Sequence, residues 1–238
     1  MNSPLLGTDS IDQHGSNAGF YERSDGAEIC AYFQHVMDDV LLPSGQVRFY
    51  NMCQYVGNWA DEHTCISQLT GETTPVRVHK KVVDTTYLEV SVPSTHKPSF
   101  PIDPDANFIP VGELTKLADS PSGYTILVGG KNAMDACTWL LDNGEDPNRI
   151  RWVRPRDSWM FDRRALQPLD LVTETMDGFS LGIEALAKTT NPDDLWRELE
   201  SREQLFRLDQ NISPTMFRGA IVSAAERELM GQIEQVIR

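Results

Sequence analysis

Residues 128–133, with the sequence VGGKNA, are the part of this chain whose residue types best suit the binding of a phosphate group. A dinucleotide-binding turn needs small residues at three positions, so that the chain turns sharply, approaches a pyrophosphate and packs the next helix closely. Gly130 takes the central position and Ala133 the third, where alanine is tolerated. Val128 takes the first, which is a departure because a β-branched residue does not readily adopt positive φ. The candidate pyrophosphate-binding residues are therefore Gly129, Gly130, Lys131, Asn132 and Ala133.

The segments around this turn predict a β-α-β unit over residues 123–156. YTILV (124–128) is a short, continuously apolar run, typical of a strand buried in a parallel sheet. Apolar residues then recur at helical spacing from Ala133 to Leu141, and Asn143-Gly144 supplies a C-cap. RIRWV (149–153) has the composition of the next strand. In such a unit the N-terminus of the helix presents free N–H groups and partial positive charge to a bound phosphate.

Two arginines after the second predicted strand favour NADP over NAD. An NAD site usually carries Asp or Glu at this point, where it binds the ribose 2′-hydroxyl. This chain has Arg154-Pro155-Arg156, and guanidinium groups suit a 2′-phosphate. The alternative is that both arginines are ordinary exposed residues of a loop. They belong to a basic island in an otherwise acidic chain: six arginines lie between residues 149 and 164, while the net charge is −14.

Composition excludes several other classes of protein. The strong negative charge argues against nucleic-acid binding, which needs a positive surface. No apolar run has the length of a membrane span and the N-terminus lacks a secretory signal, so we expect a cytoplasmic protein. The cysteines and histidines are dispersed without ligand spacing, which argues against a metal site and a disulfide framework and predicts free, mostly buried thiols. The four cysteines are Cys30, Cys53, Cys65 and Cys137.

Outside the β-α-β unit, the pattern predicts helices near both ends of the chain and β-structure between them. A helix follows Asp25 as far as Leu41, and strands are expected within 47–57, 64–72 and 76–92. Residues 93–110 contain five prolines and read as a crossover or linker. A further helix is expected to start at Asn191-Pro192, and a last one to run from Ser223 through Ile237.

The quoted motifs also resemble a known family. MDACTWLL (134–141) followed by IRWVRPRDSW (150–159) resembles the pyridine-nucleotide domain of flavin-containing monooxygenase-like oxidoreductases. Residues 25–50, 80–96 and 205–223 resemble other parts of the same proteins. The resemblance implies an α/β fold in which FAD and NADPH occupy separate Rossmann units. It also implies that NADPH reduces a flavin, which activates oxygen to oxidise a small molecule.

Against that family, the chain lacks an FAD fingerprint before Gly129. Gly15–Gly19 is rich in glycine, but no apolar strand precedes it. We therefore expect a truncated member: residues 1–115 as the remnant of an FAD-type domain, and residues 116–238 as a Rossmann-like NAD(P)-binding domain with C-terminal helices. Three explanations are open: the chain is a fragment or a mis-started gene product, FAD comes from a partner chain that supplies the missing half-domain, or flavin is absent. A homo-oligomer is also open.

Three functions remain open at this stage. The first is an NADPH-dependent flavoprotein monooxygenase. The second is a family member without flavin chemistry, acting as a non-oxidative cyclase or isomerase or as a small-molecule-binding protein in a biosynthetic pathway. The third is a structural or regulatory NADP-binding protein. No catalytic residue can be nominated from the sequence.

Overall fold

The protein is an α/β protein, seen here in a computed structural model that describes residues 10–58, 62–86, 92 and 94–238. The chain divides into two compact units. Residues Gly26–Pro101 form the smaller unit, and Met1–Asp25 together with Ile102–Arg238 form the larger one. The predicted domain boundary at 115/116 falls within the larger unit, and that division of the chain stays a prediction.

In its described residues, the smaller unit contains one helix and a three-stranded antiparallel sheet. Helix α1 is Gly26–Val36 and continues as a π-helical turn over Met37–Leu41. Strands β1 (Cys53–Gly57), β2 (His63–Ser67) and β3 (Thr73–Pro75) pair in the order β1-β2-β3. The helix after Asp25 and the first two strands are thus confirmed, with β1 shorter than predicted.

The strand predicted over 76–92 is wrong for the described part of that range. Residues 76–86 have no regular structure, and Val83 is exposed instead of buried. Strand β2 already pairs with residues 73–75, which form β3. The β-rich residues that follow therefore find no strand to pair with among the described residues. The remainder of the predicted strand includes 87–91, which lie outside the described residues.

The larger unit is built on two three-stranded sheets. Its elements in chain order are β4 (Tyr124–Leu127), α2 (Lys131–Asp142), β5 (Ile150–Val153), β6 (Ser158–Asp162), α3 (Val172–Lys188), α4 (Pro192–Ser201), β7 (Leu205–Phe206), β8 (Met216–Val222), α5 (Ala224–Met230) and β9 (Gln235–Ile237). One sheet has the order β4-β5-β9 and is parallel throughout. The other has the order β7-β6-β8, with β6 antiparallel to β7 and parallel to β8.

The predicted strand–helix–strand succession is confirmed as β4, α2 and β5, with β4 and β5 parallel. Helix α2 buries one face against a core shared by the two sheets. The helix ends at Asp142 with Asn143 as its C-cap, and Gly144 follows with φ +82°, as the predicted Asn143-Gly144 cap requires. Strand β4 is only half-buried, so the expectation that it is covered on both sides is wrong. Core residues include Cys137, Leu140, Ile150, Trp152, Met160 and Val222.

The last predicted helix is confirmed at its start and wrong at its end. Ser223 and Glu226 form the expected capping box of α5. The helix stops at Met230, however, and Gln235–Ile237 form β9 beside β5, with Val236 opposite Trp152. Pairing with a buried strand outweighs the helical spacing of Leu229, Ile233 and Ile237, because Val236 and Ile237 are β-branched.

Glu226, in the first turn of α5, is the centre of a buried ionic cluster. Its side chain is 1% exposed, is paired with Arg163 and accepts a hydrogen bond of 2.7 Å from the backbone N–H of Ser223. Burial raises the pKa of Glu226, but Arg163, that N–H and Lys131 outweigh it, so the pKa lies below its ordinary value. The carboxylate therefore contributes stability above the ordinary carboxyl pKa, and this contribution is lost as the pH falls through the folded-state pKa.

We expect Arg163→Ala to lower the free energy of unfolding by about 3 kcal/mol, because it leaves a buried carboxylate without its main partner. Arg23 supplies the matched control: it lies 3.6 Å from the same carboxylate but is half-exposed. Arg23→Ala should change the same quantity by under about 1 kcal/mol. Urea unfolding at pH 7 measures both changes. Equal losses in the two variants would contradict this account of the cluster.

Candidate functional site

The turn between β4 and α2 holds the predicted pyrophosphate-binding residues. Helix α2 begins at Lys131, with Gly130 as its N-cap, and no side chain caps it. The first turn carries no acidic residue. The N–H groups of the first helical positions have no intrahelical acceptors, and they share the positive end of a helix of 12 residues. An anion placed at this end would be favoured on both grounds.

The two glycines of the turn differ in their surroundings. A Cβ atom on Gly129 would lie 2.9 Å from Cγ of Arg154 and 3.1 Å from the carbonyl oxygen of Arg156. A Cβ on Gly130 would meet no atom within 4 Å. Gly129 thus lets the loop after β5 pack against the turn, whereas Gly130 leaves open space in front of the helix.

Val128 takes the left-handed conformation that the first position requires. Its φ is +71° and its side chain is 62% exposed. Val128 thus adopts a conformation that a β-branched residue does not readily take. A hydrogen bond fixes this backbone, since the indole N–H of the buried Trp152 donates to the Val128 carbonyl oxygen at 2.9 Å. Tertiary contacts impose a conformation that the residue itself disfavours.

The remaining predicted residues of the turn lie beside the helix N-terminus. Lys131 is partly exposed, and its ammonium group is paired with Asp135 one turn further along α2. Asn132 is exposed, and Ala133 is buried against the core side of the helix. The alanine thus satisfies the need for a small residue where helix and sheet pack together.

Arg154 lies inside the molecule. It is 4% exposed, its Nε is 2.6 Å from Oδ1 of the buried Asp157, and its guanidinium lies 4.5 Å from the ring centre of Trp152. Burial lowers the pKa of Arg154, and the Asp157 carboxylate opposes that shift. Its backbone N–H donates to the Ile237 carbonyl oxygen at 2.7 Å. Arg154 therefore joins the end of β5 to β9 and to the loop that follows.

Arg156 lies at the surface, next to the turn. Its side chain is exposed and has no ion pair with another described residue, while its backbone carbonyl packs against Gly129. The sequence placed Arg154 and Arg156 together as phosphate ligands. The fold separates them, one into the core and one beside the N-terminus of α2.

The basic island does not form a continuous positive surface. Four of its arginines have acidic partners within the chain: Glu145 for Arg149, Asp157 for Arg154, Glu226 for Arg163, and Glu203 with Glu174 for Arg164. Within the described ranges, Arg151 and Arg156 are the exposed arginines of the island without such a pair. Within the island, these two arginines are therefore the ones free to attract an anion.

The buried thiol of Cys137 on α2 is not activated as a nucleophile. Burial raises the pKa of Cys137 on α2 to about 12, so the thiol stays protonated. All four cysteines are free; Cys30 is exposed, and Cys53 and Cys65 are partly exposed, so the expectation of mostly buried thiols is wrong. Within the ranges that the structure describes, no cluster of acidic, histidine and cysteine side chains is arranged for a metal ion. None of the helices described there has the length and apolar character needed to cross a membrane.

Comparison with known proteins gives relatives without a described function. No family model and no solved structure matches the chain. One uncharacterized protein of Mycobacterium bovis and two of Mycobacterium tuberculosis strains are each 36% identical over 239 aligned residues. The match covers all of this chain but 43% of each relative, so the chain spans less than half the length of the curated relatives it matches.

The strained turn gives a direct test of its geometry. Val128→Gly should raise the free energy of unfolding by about 1 kcal/mol, because relief of left-handed strain exceeds the added entropy of the unfolded chain. Val128→Asn should also raise it, since asparagine tolerates positive φ without that entropy. Thermal unfolding measures both changes. A loss of stability in both variants would show that Val128 is not strained.

The two glycines give a second, matched test. We expect Gly129→Ala to lower the free energy of unfolding by about 1–3 kcal/mol, because the new methyl group overlaps Arg154 and the carbonyl of Arg156. Gly130→Ala should stay within about 0.5 kcal/mol of the parent, because a poorer N-cap is offset by a less flexible unfolded chain. Denaturant unfolding distinguishes the two variants, and the reverse order would contradict the packing described here.

Proposed function

We propose that this chain binds NADP in a Rossmann-like β4–α2–β5 unit and belongs to an NADPH-dependent, flavoprotein monooxygenase-like oxidoreductase acting on a small molecule. The observation that carries the proposal is the uncapped N-terminus of α2, which follows an open glycine between two parallel strands. The resemblance of MDACTWLL and IRWVRPRDSW to pyridine-nucleotide domains supports the same assignment.

The pyrophosphate would lie in front of Gly130. The absence of atoms around a Cβ at this position leaves room for a phosphate close to the backbone. The N–H groups of Lys131 and Asn132 are the donors that such a phosphate would accept from. Lys131 adds a positive charge at the same end of the helix, shared with Asp135. Gly129 has no such space and supports the loop instead.

The 2′-phosphate of the adenosine ribose is assigned to Arg156. This guanidinium is exposed at the end of β5, and its backbone contacts the glycine turn. The acidic residue that follows, Asp157, is buried against Arg154, so it neither repels a phosphate nor offers itself to a ribose 2′-hydroxyl. Arg154 then has a positioning role, because its ion pair fixes the loop that presents Arg156.

The described residues do not fit FAD in the same way. Gly15 and Gly19 lie in a turn closed by the bridge between Ile11 and Tyr21, which is not a strand-to-helix turn. The proposal therefore assigns only the nicotinamide cofactor to this chain. FAD would be held by another domain or a partner chain, and more than half of each relative lies outside the matched region.

A second candidate is the same scaffold without flavin chemistry, working as a non-oxidative cyclase or isomerase or as a small-molecule-binding protein. The observation that favours it is Val128 at a left-handed backbone position. A turn shaped for close approach to a cofactor would have glycine there, because glycine adopts positive φ without strain. A chain that folds but binds neither NADPH nor NADH would favour this second function over the first.

Cofactor choice tests the role of Arg156. We expect Arg156→Ala to weaken NADPH binding by about 10- to 100-fold, the loss of one charge-assisted contact, and to leave NADH binding unchanged. Arg151→Ala is the matched control, because it removes an exposed arginine from the same island. Fluorescence titration of each nucleotide measures the affinities. Equal NADPH affinities in the parent and in Arg156→Ala would refute the assignment.

The Gly130 substitution tests the pyrophosphate position without disturbing the fold. Gly130→Ala should weaken both NADPH and NADH by at least about tenfold, since its methyl group enters the space reserved for the phosphate. The same titration measures this, and the unfolding midpoint serves as the control. Unchanged affinity for both nucleotides would place the ligand elsewhere.

A further inference from the structure

Helix α3 presents an apolar stripe to the surrounding water. Along its 17 residues, large apolar side chains recur at alternating spacings of four and three residues, which places them on one face of a helix. These side chains are 41–68% exposed, although the opposite face of α3 packs within the larger unit. The stripe consists of Val172, Met176, Phe179, Ile183 and Leu186.

The alternation of three and four residues is the pattern of a helix–helix seam. It is the spacing of the a and d positions in coiled coils, where side chains of one helix fit between those of another. An exposed surface helix within a monomer would carry polar residues at these positions. The stripe therefore has the composition of a buried interface, yet it is exposed among the described residues of the larger unit.

The residues beside the stripe are small and carry no charge. Thr173, Ser180 and Ala187 flank it on one side, and Thr175 and Gly182 on the other. Small flanking residues allow close approach of a second helix.

The charged residues of α3 lie away from the seam. Glu184 is 3.0 Å from Arg202, and Glu174 lies 3.6 Å from Arg164, so both carboxylates have an ion-pair partner within the chain. Asp177 is exposed and lies seven residues before Glu184, on the same side of the helix. The chain as a whole has a net charge of −14, which opposes self-association at most surfaces. This face is an exception.

We propose that the α3 stripe is a homodimer interface, in which α3 of one copy packs antiparallel against α3 of a second copy. The stripe can meet itself without opposing like charges, and an antiparallel arrangement also sets the helix dipoles in favourable opposition. The stripe is nearly symmetric about Phe179. In the antiparallel dimer, Phe179 of one copy therefore lies opposite Phe179 of the other, and Met176 of each copy faces Ile183 of the other.

The exposed area fits this occupant. Five partly exposed large side chains present on the order of 500 Å² of apolar surface, at the upper end of what a monomer shows. Two such stripes would bury about 1,000 Å² together, which is the lower limit for a specific interface. We therefore expect a reversible dimer with a dissociation constant in the micromolar range. This interface is independent of the nucleotide site proposed above.

Sedimentation velocity of the full 238-residue chain, over about 1–100 μM, tests the interface. The parent should shift from monomer to dimer across this range, because about 1,000 Å² of buried surface gives modest affinity. Ile183→Lys and Phe179→Lys should each raise the dissociation constant by at least about tenfold, since each brings a charge into an apolar seam. Both side chains are exposed, so the monomer should keep its far-ultraviolet circular dichroism and unfolding midpoint.

Leu69→Lys is the matched control, because Leu69 is an exposed apolar residue in the other unit. This variant should dimerise like the parent. A parent chain that stays monomeric at 100 μM would overturn the proposal, and so would a dimer that both α3 substitutions leave intact. Equal weakening by Leu69→Lys would overturn it as well, since the effect would then follow from added charge alone.

Discussion

The buried indole of Trp152, with the Arg154 guanidinium beside it, fixes the geometry around the candidate site. The indole N–H holds the Val128 carbonyl oxygen, and the guanidinium is paired with Asp157 in the core. Because ionic groups in a core are costly unless they are paired, this cluster determines where the neighbouring backbone can lie. The Arg154 backbone also donates to Ile237. The turn after β4, the end of β5 and strand β9 are thereby held in one arrangement.

Two consequences for function follow from this cluster. Arg154 is paired with Asp157, so Arg156 is the arginine that adds an exposed positive charge beside the helix N-terminus, next to Lys131. Val128 is held at positive φ, so the turn keeps the shape that a glycine would normally provide. The turn is therefore preformed before any ligand arrives, and a preformed site loses less entropy on binding.

Local patterns predicted the elements of the site but not the surroundings of its side chains. The continuous apolar strand, the helical spacing up to Leu141 and the Asn143-Gly144 cap were enough to predict β4, α2 and β5. An arginine at a strand end has the same sequence signal whether it is buried or exposed, although Asp157 three residues after Arg154 was an available hint. Helix α3 was missed because Gly178 and Gly182 weaken its helix propensity. Strand β9 depends on pairing with β5, which local spacing does not reveal.

The most direct test of the central claim is a calorimetric titration of NADPH and of NADH into the unmodified chain. If the uncapped N-terminus of α2 and Arg156 form a dinucleotide site, NADPH should bind at a single site and at least about tenfold more tightly than NADH. The account would be contradicted by a folded chain that shows no binding heat with either nucleotide. It would also be contradicted by a chain that binds NADH more tightly than NADPH.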